Sequence, residues 1–91
     1  MGQSTRFGAG QITVTSSATQ IAAANQDRLT ITLTKLNAEN VFLGCNNALT
    51  TTGGLLFAGT CGATITLATT SPIFGITVGA SVTVTYGEIT Q

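Results

Sequence analysis

Between Arg28 and Lys35 the chain reads Arg-Leu-Thr-Ile-Thr-Leu-Thr-Lys, with an apolar residue at every second position and threonine between them. A side-chain period of two belongs to an extended strand with one buried and one wet face; no helix satisfies it. Three other segments obey the same rule. Ile12 and Val14 alternate with Thr13 and Thr15, Ala63, Ile65 and Leu67 with Thr64 and Thr66, and Val82, Val84 and Tyr86 with Ser81, Thr83 and Thr85. Threonine suits the outer face, because its β-branch favours extended backbone and its hydroxyl bonds water. Weaker strands are read at 41–45, 54–57 and 73–78, the last with Phe74, Ile76 and Val78 on one face. Turn residues separate these segments. The expected fold is all-β: a compact antiparallel β-sandwich or jelly-roll-like barrel of about seven or eight short strands. Ser17–Ala24 has helix-forming residues but is shorter than the roughly 12 that hold an isolated helix. It is read as a strand extension or irregular crossing.

A chain of 91 residues allows one domain. Residues 11–91 are read as a single β-sandwich domain. Residues 1–10 hold Gly2, Gly8 and Gly10 and show no alternation, so they are read as a flexible N-terminal arm. On that arm Arg6 and Phe7 form an anchor-like pair, since arginine and aromatic residues dominate interface energetics. The alternative is a terminus without a role. Deleting residues 1–8 is then expected to spare the fold and weaken partner binding. No apolar run follows the start, so no secretory signal is read, and Arg6 stands where a myristoylation motif needs Ser or Thr. The chain is expected to be made in the cytoplasm and to stay there, or to leave inside something larger.

Six side chains carry charge: Arg6, Arg28 and Lys35 against Asp27, Glu39 and Glu88. That is 7 % of the chain and a net charge of zero, where ordinary domains have about 25 % charged residues. Binding to nucleic acid by phosphate neutralisation is excluded. Apolar runs are only a few residues long, so no membrane span is expected. Without histidine, no Ser/His/Asp or Cys/His unit can form. The three acids are read as solvated turn charges rather than a glycosidase pair. Two cysteines are too few for a zinc site, and no calcium-loop spacing occurs. No catalytic residue, cofactor or metal is therefore expected, and the chain is read as a non-enzyme. Cys45 and Cys61 admit two readings. A disulfide would close a loop of about 16 residues and contribute roughly 3 kcal/mol; alternatively both are reduced small hydrophobes. So few charges, with one Lys and one Pro to defend sheet edges, suit a subunit that is permanently assembled.

The order of segments resembles a group of small tailed-phage virion proteins. The matching residues are Thr15-Ser16-Ser17-Ala18-Thr19-Gln20-Ile21-Ala22-Ala23-Ala24-Asn25, Arg28-Leu29-Thr30-Ile31 and Asn40-Val41-Phe42-Leu43-Gly44. They continue through Asn47 to Thr52, Gly54-Leu55-Leu56-Phe57-Ala58-Gly59, Pro72-Ile73-Phe74-Gly75-Ile76 and Ser81-Val82-Thr83-Val84. The likeness covers residues 12–86, and Cys45 and Cys61 depart from it. It implies a structural virion protein, either a head decoration (cement) protein or a small tail or fibre component. The first would be made in the host cytoplasm and sit on the capsid surface as a homotrimer, bound to the major capsid protein. The second would recognise the host or bind carbohydrate. The resemblance supplies no binding residue.

Overall fold

A computed structural model of the chain describes residues 6–91. Its strands are β1 (Arg6–Val14), β2 (Thr19–Ala22), β3 (Arg28–Lys35), β4 (Val41–Gly44), β5 (Leu55–Phe57), β6 (Thr64–Leu67), β7 (Ile73–Ile76) and β8 (Val82–Thr90). They form two antiparallel four-stranded sheets, ordered β1-β8-β3-β6 and β2-β7-β4-β5. The first strand pairs with the last, β2 with β7, β3 with β6 and β4 with β5. The chain is one long hairpin, doubled back and rolled so that successive pairs alternate between sheets. Pairing of β3 with β8 and of β4 with β7 completes each sheet. This is an eight-stranded jelly roll, and the region read as an irregular crossing supplies its second strand.

The core lies between the sheets. Val14, Ile31, Leu33, Val82 and Val84 come from the first, and Ile21, Val41, Leu43, Phe57 and Ile73 from the second. Burying each such side chain contributes roughly 1.5–3 kcal/mol. The interior is narrow at Gly75 in β7. A Cβ there would lie 2.9 Å from Ile21 Cδ1, 3.2 Å from Val41 Cγ1 and 3.3 Å from Val14 Cγ1. Gly75 therefore faces the core, and Phe74 and Ile76 fall on the other face of β7. The face read as shared by Phe74, Ile76 and Val78 is the outer one, where Val78 is 77 % exposed and Ile76 is nevertheless buried.

Two expectations are corrected. β3 pairs with β8 at Arg28↔Thr90 and Thr30↔Ile89, which leaves Leu29 as an extra residue. Such a bulge breaks the alternation, so Leu29 is 42 % exposed and Arg28 only 3 %. The other correction concerns the N-terminal arm. Arg6–Gly10 are the first half of β1, in an unbroken nine-residue ladder with β8; residues 1–5 lie outside the described residues. Alternation is missing there because glycines hold the inward positions, Gly8 against the Glu88 side chain and Gly10 under an aromatic ring. Gly10 sits opposite Tyr86, and a Cβ on it would lie 2.6 Å from Tyr86 Oη. On the opposite face a Cβ on Gly87 would lie 3.0 Å from the Phe7 ring. Aromatic side chains cover strand glycines in this way and restore the packing they lack.

Candidate functional site

The charges come first, because they decide what the surface can do. Two of the three cations are buried, one at each end of β3. Arg28 Nε donates to Glu88 Oε2 at 2.7 Å. Its Nη1 donates to the carbonyls of Thr69 at 3.1 Å and Ser71 at 2.8 Å, and Nη2 donates to that of Ala23. One guanidinium thus ties β3 and β8 to the β2–β3 and β6–β7 connections. Lys35, fully buried, donates from Nζ to the carbonyls of Glu39 at 3.1 Å and Gly59 at 3.0 Å. The same ammonium sits 5.2 Å from the centre of the Phe57 ring, a cation–π contact. Glu88 is therefore the half-buried partner of a buried guanidinium, its side chain 19 % exposed, and not the solvated charge expected; Asp27 and Glu39 are exposed. The bulge hides this pair from a reading by period.

With Arg28 and Lys35 turned inward, neither outer sheet face carries a charged strand residue. The outer face of the β1-β8-β3-β6 sheet is built in rows across the strands. One row is Gln11, Thr85, Thr34 and Thr64; the next is Ala9, Gly87, Thr32 and Thr66. Thr32 and Thr66 hydroxyls lie 3.1 Å apart and those of Thr34 and Thr64 3.4 Å apart. Beyond them Phe7 pairs with Ile89. Because Ala9 and Gly87 have little or no side chain, the surface dips into an open groove of about 640 Å³ between the Phe7–Ile89 pair and the threonine row. Phe7 is 71 % exposed.

The second sheet presents something different. Leu56, Phe42 and Ile76 stand side by side across β5, β4 and β7, and Phe74 lies opposite Gly44 in β7. This makes an apolar row on the outer face. The β4–β5 connection packs beside it, with Leu49 Cδ1 2.8 Å from where a Cβ would sit on either Gly44 or Gly54. Leu55 and Leu56 on the edge strand β5 are 54 % and 49 % exposed. An apolar cleft of about 290 Å³ opens near that edge, among Leu43, Leu55, Leu67, Pro72, Ile73 and Cys45.

The disulfide reading fails: Cys45 and Cys61 are free and exposed. The β4–β5 hairpin pairs Val41 with Phe57 and Leu43 with Leu55. Cys45 therefore runs on toward the hairpin turn, while Cys61 lies past its other end, where Sγ donates to the Leu36 carbonyl at 3.1 Å. Arg6 and Phe7 are both exposed on β1, where Phe7 belongs to the groove. No cluster of three or more metal-ligating His, Cys, Asp or Glu side chains occurs among the described residues. No family model, curated protein or solved structure matches the chain.

Proposed function

We propose that the chain is a structural virion subunit, a decoration protein that binds the outside of a phage head and bridges neighbouring major capsid subunits. The observation that carries this reading is the disposition of charge. Two of three cations are spent inside the fold, and both broad faces are left to hydroxyl, apolar and backbone groups. Such a surface suits permanent docking on a protein lattice and offers little to a polyanion. The resemblance to phage virion proteins supports the reading. By fold-level analogy so does the jelly roll, which recurs in viral capsid and lectin domains. The mechanism is mass action: a ligand that binds only the assembled lattice stabilises it. The test is co-sedimentation of the labelled chain with heads that lack it, at low and at moderate salt. Saturable binding that survives salt is expected. Binding that vanishes as salt rises would mean an ionic contact and defeat the reading.

A second reading has one observation in its favour. The exposed Phe7 ring stands beside the Gln11 amide and the hydroxyls of Thr32, Thr34 and Thr85 in one groove. A ring and a fringe of hydrogen-bonding groups are what a neutral sugar needs. On this reading the chain is a tail or fibre module. A glycan array discriminates the two, since saturable sugar binding abolished by Phe7→Ala favours the tail.

A further inference from the structure

Among the described residues β1 pairs on one side only, with β8. We infer that its other side is an interface between two copies of this chain, paired antiparallel about a two-fold axis at Gly10. The inference is independent of the decoration reading. It begins from how edges are protected. β2 and β6 have four residues and β5 three, and shortness is itself a defence against stray pairing. β1 has nine residues, no register shift against β8, no proline, and one charge, at Arg6. Among the described residues it is an unpaired edge about 30 Å long, with none of the usual devices that blunt one.

The occupant is argued from the strand's own sequence. Centred on Gly10, antiparallel pairing matches all nine residues. On the outer face Phe7 meets the partner's Thr13 and Ala9 meets the partner's Gln11. On the inner face Gly8 meets the partner's Ile12. Large side chains thus oppose small or β-branched ones, a favourable cross-strand arrangement. The two Arg6 side chains stand roughly 27 Å apart, at opposite ends of the ladder; parallel pairing would set them side by side. Pairing with β6 of another copy would leave most of β1 unmatched, since β6 has four residues. The symmetric ladder supplies roughly eight to ten hydrogen bonds and joins two sheets into one of eight strands. It is a two-fold assembly, in place of the homotrimer that the resemblance implies. A single ladder buries less than the roughly 1,200 Å² of a standard interface, so dissociation on dilution is expected.

Analytical ultracentrifugation of the full chain over a range of concentrations should show a monomer–dimer equilibrium. Ala9→Lys places an ammonium on the exposed edge beside the axis. It should weaken the dimer at least tenfold while leaving the melting temperature of the dilute monomer unchanged. Register is tested with Cys45→Ser and Cys61→Ser in every chain. Mixed and oxidised, Ala9→Cys and Gln11→Cys chains should form disulfides between unlike chains, because these positions face each other across the axis. Should Ala9→Lys fail to fold, this mixture decides. A monomer at all concentrations, a trimer, or cross-links formed equally between like and unlike chains would overturn the inference.

Discussion

A methyl group added at Gly10 lands on the Tyr86 ring, whereas one added at Gly79 meets nothing within 4 Å. Gly10→Ala should therefore cost about 1–3 kcal/mol, as overpacking does. Gly79→Ala should stay within about 0.5 kcal/mol. For a domain of this size each kcal/mol moves the melting temperature by roughly 4–8 °C, so thermal melts separate the two variants. Arg28 gives a second prediction. Arg28→Ala strands the Glu88 carboxylate and three carbonyls, and should lose about 3–5 kcal/mol. Glu88→Gln keeps an oxygen acceptor for Nε and should lose less than half of that. Urea unfolding of both variants checks the ordering. Arg28 was not legible in the sequence, because a strict period of two sends Leu29 inward and Arg28 out, and only the bulge reverses them. Glu88 keeps the inward phase of Val82, Val84 and Tyr86, but with Arg28 read as outward it had no visible partner. Lys35 was hidden too. It keeps the inward phase of Ile31 and Leu33, but a lysine in that place reads as an edge charge until the Glu39 and Gly59 carbonyls and the Phe57 ring are seen around it.

At the scale of elements, the strands with threonine on one face were legible and those built on glycine were not. β3, β6 and β8 announce themselves because threonine marks the wet side at every second residue. β1 is half legible: Ile12 to Val14 alternate, but Gly8 and Gly10 erase the pattern, Gly10 where Tyr86 crosses the strand and Gly8 beside Glu88. β7 was found with Phe74 and Ile76 on one face, but which face points inward was not legible, since Gly75 occupies the inward position that an apolar side chain would have marked. The structure also reverses one expectation about the N-terminus. Residues 6–8 contribute three of the nine β1–β8 pairs, and the Phe7 ring covers Gly87. Removing residues 1–8 should therefore lower the melting temperature by several degrees. Phe7→Ala alone should cost about 0.2–1 kcal/mol, the range of one cross-strand pair. Circular dichroism melts of the two variants beside the full chain test this. A truncated chain that melts with the full one would return residues 6–8 to the status of an arm.

At the scale of the molecule, the jelly roll sorts the side chains into a narrow core of valine, isoleucine and leucine and two outer faces of unlike chemistry. One is ruled by threonine rows with a single aromatic ring; the other carries the Leu56–Phe42–Ile76 row. That no Ser/His/Asp or Cys/His unit can form was legible from composition alone, because there is no histidine. The faces were not, because they arise from strand order, and strand order depends on pairings between residues up to 84 positions apart, such as Arg6 with Thr90. Screening by salt acts on exposed charge pairs and little on apolar or hydroxyl contacts. Whatever this protein docks on should therefore hold it as firmly at moderate salt as at low salt. The central claim is that docking stabilises a phage head, and DNA release from heads on heating tests it most directly. Heads stripped of the protein should release DNA at a lower temperature than complete heads, and adding the purified chain back should restore the difference. Equal release temperatures with and without the chain would contradict the account.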